Sequence, residues 1–264
     1  MAGVSQSGLI ALGQARRGRE LVVHLALREV AARHRFTLLG WLWPVARQLA
    51  QLAVLVFVFS GVVDLGIPDY PAFVFSGLIA WGWFSAGIAE GAGSLLAQRH
   101  LVFTPRFPTA ALPVVPVAVA MVDVLLALPI LLALLAGIGE VHLTLLFLPL
   151  LLAVQLGLMA GLAWLAAALT VFLRDVRQLV LVALTLMFYL TPVFYDPGRV
   201  PERFRWVLDL NPMSVLVQAY RDVLLDGRLP PPGPLLAVAA GSAALAAVGL
   251  AVFRRLQPAF VDEL

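Results

Sequence analysis

An all-α integral membrane protein with six transmembrane helices is the fold class this sequence predicts, and three observations carry the prediction. Six apolar stretches are strung along 264 residues, most of them at or above the roughly 20 residues a helix needs to cross a hydrocarbon core. The composition is 62% hydrophobic and 12% charged, with a mean hydropathy of +0.97. Soluble domains are roughly half apolar and a quarter charged, so no soluble fold fits. Finally, most of the breaks between stretches alternate between arginine-bearing and arginine-free, the bias that orients membrane helices.

Residues 16–36 come first. Arg17, Glu20, His24, Arg28 and Arg35 recur at helical spacing, while Leu21, Val22, Leu25, Ala26 and Val30 fill the other side. An amphipathic helix lying in the headgroup layer is expected, with a solvated juxtamembrane segment as the alternative. The first span, 42–63, is flanked by Trp41 and Trp43 at the depth aromatic side chains prefer, and its exit loop carries Asp64 and Asp69 but no arginine. The second, 72–96, opens into a turn at 95–108 holding Arg99, His100 and Arg106 among prolines. The third, 110–138, contains Pro116 and Pro129, which should kink it unless neighbours satisfy the freed carbonyls. The fourth, 143–173, leads to Arg174 and Arg177; the fifth, 179–194, is short for a full crossing; the sixth, 235–253, ends at Arg254 and Arg255.

Counting arginines near span ends places both termini and the 95–108 turn on the cytoplasmic side. Segment 195–234 is the exception, because it should lie outside yet carries five arginines, balanced by Asp196, Glu202, Asp209, Asp222 and Asp226. Its two helical strings, PERFRWVLDLNP and MSVLVQAYRDVLL, are too short or too charged to span. Two short helices dipping into the outer leaflet are the expectation.

The chemistry available is narrow. There is no cysteine, which removes disulfides and thiolate metal sites, and no lysine, which a phosphate-cradling Walker loop requires. The isoelectric point near 9.9 reflects orienting arginines at a net charge of +3, so it does not imply nucleic acid. Residues 1–12 are weakly apolar with no positive residue before them, and the start is expected to be retained rather than cleaved as a signal peptide. His24, His34, His100 and His142 are scattered, and no nucleophile–base pair or HExxH is present, so no catalytic site, cofactor or metal is expected in this chain. Asp123, near the middle of the third span, is either a functional carboxylate or one satisfied by a partner such as Arg47 of the first span. Glu90 falls near enough to the inner surface to be partly solvated. Trp81 and Phe84 share a helix face, as do Phe188 and Tyr195, with Tyr189 beside them. Such faces offer either a slippery path for sugars or an ordinary aromatic belt.

Five strings in register carry a resemblance: RHRFTLLGWLWP (33–44), GLIAWGWF (77–84), LVFTPRFPTAALPV (101–114), FLRDVRQLVLVALTLMFYLTPVFY (172–195) and LNPMSVLVQAYRDVLLDGRLP (210–230). Over 16–255 the chain resembles the permease subunits of ABC-2-type exporters, specifically those for O-antigen, teichoic acid and related cell-envelope polysaccharides. Gln98 departs from the asparagine often found there. The resemblance implies a half-transporter in the bacterial inner membrane, moving lipid-linked polysaccharide as a homodimer paired with two copies of a separate cytoplasmic ATPase that holds ATP and Mg. Arg28, Arg99, Leu101, Phe103, Arg106 and Phe107 would then face the ATPase, with 95–108 as a coupling helix. Trp41, Trp43, Trp81, Phe84, Phe188, Tyr189 and Tyr195 would line the channel, and 196–226 would form outer gate helices using Phe204, Trp206, Asn211, Pro212, Tyr220 and Arg221. Drug- or lipid-exporting permeases are the nearest alternative. A proton-coupled secondary transporter relaying through Asp123 and Glu90 is more distant, since no inverted repeat is visible. A transferase acting on lipid-linked sugars lacks the convergent carboxylates it would need.

Overall fold

The computed structural model describes residues 22–30, 43–105 and 107–264, and among these the chain is helical with no strand. The elements are α1 (22–30), α2 (Trp43–Val56, continued by a π-helical stretch Phe57–Val62), α3 (Tyr70–Ala97), α4 (Arg99–Val102), α5 (Val114–Ile138), α6 (Leu148–Phe172), α7 (Asp175–Leu190), α8 (Glu202–Leu210), α9 (Pro212–Leu224), α10 (Pro232–Leu256) and α11 (Phe260–Glu263). Five segments of the described residues are long and apolar enough to cross a membrane: Trp43–Val62, Tyr70–Ala97, Thr109–Ile138, Leu143–Phe172 and Pro232–Glu263.

The expected fifth span, 179–194, differs. Its helix, α7, has 16 residues and ends at Leu190, about 24 Å of rise against a hydrocarbon core of about 30 Å. Thr191 takes extended angles, φ −96 and ψ 134, because it precedes Pro192, whose ring disfavours a helical residue before it. The expected third and fourth spans both begin as 3₁₀ turns, Thr109–Ala111 and Leu143–Phe147, before their α-helices start. Within 95–108 the helical parts are the last turn of α3 and the four residues of α4. Pro116 sits in the first turn of α5, where its missing N–H costs nothing, whereas Pro129 lies in the interior and removes a ladder bond.

α3 is the axis of the fold. It packs on α5, α6, α9, α2 and α7, and Phe75, Trp83 and Phe84 on it are at most 1% exposed. Close approach depends on its glycines. A Cβ on Gly87 would stand 3.3 Å from the Cα of Val117 on α5, and one on Gly91 would lie 3.0 Å from the carbonyl of Pro113. Buried polar atoms bind across the same seams: Trp83 donates Nε1–H to the carbonyl of Val117 at 2.9 Å, and Gln155 donates to that of Ala80 at 2.8 Å. With no water in the core to substitute, each such bond is the partner its donor requires.

The most extensive helix pair is α6 with α10. α1 lays Ala26 and Val30 against Val115 and Val119 of α5 while Val23, His24, Leu27 and Arg28 stay exposed. The chain therefore has two ends. One gathers α4, α11 and the termini of α3, α5, α6 and α10 around Leu95, Val102, Leu112 and Phe253. The other gathers the loop before α3, the exit of α7, and α8 and α9. They are called below the α4 end and the α9 end.

Candidate functional site

An open groove of about 490 Å³ runs between α2, α3 and α7. α2 contributes Pro44, Arg47, Gln48 and Gln51, positions at helical spacing that share one face. Ser85 of α3, Asp123 of α5 and Thr185 of α7 complete its polar lining, and Trp81, Phe188 and Tyr189 supply aromatic walls. Gly82 admits this arrangement, since a Cβ there would lie 2.6 Å from Nε2 of Gln48. From Trp81 the rings continue toward the α9 end: Trp81 to Phe188 at 5.9 Å, Phe188 to Phe194 at 5.6 Å, and Phe194 to Tyr195 at 5.2 Å. A row of charged and amide side chains on helices otherwise built for hydrocarbon is costly unless water, a polar ligand or another protein surface covers it.

The expected channel residues divide accordingly. Trp81, Phe188 and Tyr189 line the groove together with Arg47 and Asp123. Phe84 is 1% exposed, packed in the core with its ring 5.3 Å from that of Trp81. Tyr195 lies beyond the groove and donates its hydroxyl to the carbonyl of Tyr189 at 3.3 Å. Trp43, at the start of α2, is 52% exposed, and Trp41 lies outside the described residues. Gln48, Gln51, Ser85 and Thr185 had not been singled out, although ARQLAQL shows the first two on one face with Arg47.

At the α9 end the chain is tied by side chains. Asn211 caps α9 by accepting the N–H of Met213 at 3.0 Å and donates to the hydroxyl of Thr191 at 2.8 Å, which joins α9 to the exit of α7; Pro212 opens the helix. Arg221 is buried over the ring of Phe73, its guanidinium carbon 3.5 Å from the centroid, and donates to the carbonyl of Val193 at 2.7 Å. Burial pushes its guanidinium down to about 9, with Asp196 pulling the other way. Gly77 makes the room: a Cβ there would lie 3.2 Å from Arg221 Nη2 and 3.0 Å from the Val193 carbonyl oxygen. Asp222, also buried, accepts from Arg228 at 2.8 and 3.1 Å, and Arg228 pairs with Asp226 at 2.9 Å. The Arg228 guanidinium is accordingly held above its ordinary range by the Asp222 hydrogen bond and the two carboxylates. Tyr220 is buried beside them, and Phe204 and Trp206 of α8 are exposed.

At the α4 end, Arg99 and His100 are exposed, Phe103 is 49% exposed, Leu101 and Phe107 are half-buried against the Phe253 cluster, and Arg28 is exposed on α1. Arg106 lies outside the described residues. Behind this surface a hollow is lined by Glu29, Glu90, Gly93, Pro116 and Arg177, bringing α1, α3, α5 and the start of α7 together. Among the described residues no three His, Cys, Asp or Glu groups could hold a metal ion.

The model of the ABC-2 type transporter family matches residues 20–225, a stretch that contains the groove and runs from α1 to the end of α9. The chain belongs to the ABC-2-type transporter family. It is 33% identical over 251 residues to the O-antigen export system permease protein RfbA of Myxococcus xanthus, covering 93% of this chain and 96% of that one. It is 28% identical over 247 residues to an RfbA permease of Klebsiella pneumoniae, covering 93% and 95%, and 25% identical over 247 residues to the polysialic acid transport protein KpsM of Escherichia coli, covering 90% and 94%. An ABC-2-type transporter chain is a membrane permease, and the proton-relay and transferase readings fall away. The groove turns guanidinium, amide, carboxylate and hydroxyl groups of helices otherwise made for lipid toward a common space.

Proposed function

We propose that the groove between α2, α3 and α7 is half of a translocation path for lipid-linked polysaccharide, completed by a second copy of the chain in the bacterial inner membrane. Its lining supports the reading. Guanidinium, amide and hydroxyl groups exchange hydrogen bonds with sugar hydroxyls, while Trp81, Phe188 and Tyr189 offer faces that hold sugar rings loosely. The relatives named for O-antigen and polysialic acid transport supply the substrate class. A separate ATPase provides the energy, since no lysine exists here to engage ATP, and docks at the α4 end on α1, α4 and the arginine-rich turn. Both termini then face the cytoplasm. α7 completes a sixth crossing with help from the exit segment after Pro192, and α8 and α9 form a re-entrant gate at the outer mouth.

The test uses the absence of cysteine. Single cysteines at Gln51 and Thr185, in the permease assembled with its ATPase, should react readily with a membrane-impermeant thiol reagent and be protected by the exported glycan. One at Ala53, exposed on the opposite face of α2, should stay unreactive. Gln51 and Thr185 positions as inert as Ala53, or reactive but indifferent to glycan, would remove the groove from the path.

A further inference from the structure

Two glutamine side chains lie against α3, and they are held in different ways. Gln155 of α6 is fully buried and donates to the carbonyl of Ala80 at 2.8 Å. Gln48 of α2 is half-buried in the wall of the groove, and among the described residues its carboxamide makes no hydrogen bond at either end, Oε1 being sealed without a partner. Beneath it lies Gly82, which also lines the groove. A Cβ there would stand 2.6 Å from Nε2 of Gln48 and 3.6 Å from its Cδ, and among the described residues it would meet nothing else within 4 Å outside its own helix backbone. Gly87 and Gly91 of the same helix make room for backbone instead, at Val117 and Pro113. A glycine inside a helix is destabilising relative to alanine, and the space Gly82 leaves serves one side chain.

Its polar neighbours in the groove differ. Ser85 donates its hydroxyl to the carbonyl of Gly82 at 3.3 Å and Thr185 donates to that of Leu181 at 2.9 Å, so both hydroxyl protons are engaged on their own helices. Arg47 and Gln51 are exposed, with long side chains whose order a ligand would have to impose. Gln48 combines a fixed position with unused hydrogen-bonding capacity. An amide oxygen buried without a partner is carried at a penalty, and a ligand in the groove that the amide can turn to meet lifts it.

We propose that Gln48, seated by Gly82, is a specificity-determining contact of the path, and that it meets a hydroxyl of a sugar ring rather than the lipid end of the substrate; this rests on the groove being the translocation path. A carboxamide both donates and accepts, as a sugar hydroxyl does, and it brings no charge whose desolvation must be offset. A hydrocarbon chain in the same place would leave the amide as unpartnered as before. Tyr189 on α7, 60% exposed in the same groove, supplies a ring face on which the flat side of a sugar rests.

The experiment uses the full-length chain carrying Thr185→Cys as its single thiol, assembled with its ATPase in nanodiscs. The probe is the lipid-linked polysaccharide extracted from the cell that makes the chain, and a second arm uses the same lipid after its glycan has been hydrolysed away. The readout is the probe concentration that half-protects the thiol from an impermeant reagent. Adding Gln48→Ala should raise that concentration about fivefold, the loss of one neutral hydrogen bond. Gly82→Ala should raise it by a similar factor, because the added methyl displaces the amide while touching no facing backbone, and it should add nothing to a chain that already carries Gln48→Ala. The bare lipid should not distinguish Gln48→Ala from the parent. Equal protection of the parent and the Gln48→Ala chain would overturn the assignment. So would a Gly82→Ala effect that persists without Gln48, since Gly82 would then act through packing, or a bare lipid that shows the same dependence on Gln48. Absence of any protection in the parent removes the translocation reading as well, whereas protection that ignores Gln48 removes only the role given to Gln48.

Discussion

Replacing Gly249 by alanine should destabilise the chain, although alanine is the better helix former. A Cβ at Gly249 would stand 2.5 Å from the carbonyl oxygen of Gly161 and 3.1 Å from its Cα, while ordinary contacts lie at 3.4–4 Å. The obstacle is backbone on the facing helix, so no rotamer change relieves it. α6 and α10 must part by about 1 Å, which forfeits a quarter to a half of the dispersion well across their contact. Overpacking of this kind costs about 1–3 kcal/mol, against a propensity gain of about 0.5–1 kcal/mol. Gly241→Ala, on the same helix with nothing within 4 Å of the added carbon, keeps the gain without the clash. The gain is common to both, so the two variants should differ by the overpacking cost, about 1–3 kcal/mol. Reversible unfolding in mixed micelles, followed by helical circular dichroism, measures the gap. Equal stability of the two would refute the close crossing of α6 and α10.

Two further outcomes are expected. Single cysteines at Gly66 and Gly198 should be labelled by an impermeant reagent from outside the cell while one at Gln98 is not, as the arginine bias requires; the reverse pattern would invert the topology. Arg228→Gln should cost about 1–3 kcal/mol in chemical unfolding, because it leaves the carboxylate of Asp222, with 2% side-chain exposure, only the weaker bond from Gln218. Wild-type stability in that variant would mean that Asp222 needs no partner.

Apolar length and arginine spacing made most of the helices legible, because both are one-dimensional consequences of bilayer thickness and orientation. The short helices α8 and α9 were legible too, from strings too short or too charged to cross. The end of α7 was also written in the chain, since Thr191 stands before Pro192, but aromatic residues beyond the proline extended the apolar run past the helix. What could not be read was direction around α3. Trp81 and Phe84 are three residues apart and share a helix face, yet one meets the groove and the other the core. A helix apolar on all sides carries no periodic sign of which neighbour each face meets, so only packing assigns it. Arg221 was visible as a charged residue of the segment after α7, but its stacking on Phe73, 148 positions away, is a tertiary fact with no local signature.

The length of α3 has a mechanical consequence. Its 28 residues form a rod of about 42 Å at 1.5 Å per residue. Phe73 near one tip lies under Arg221, and Gly93 near the other rests against the Arg177 side chain. A rod held by close glycine contacts along its middle tilts more readily than it compresses. Pivoting on those contacts, a tilt of about 5° swings the two tips in opposite directions through about 2 Å each, by the same rise, enough to open a hydrogen bond. A displacement applied at the α4 end would thus reach the Phe73–Arg221 stack and the Val193 carbonyl as a movement large enough to break them, with no relay of side chains in between.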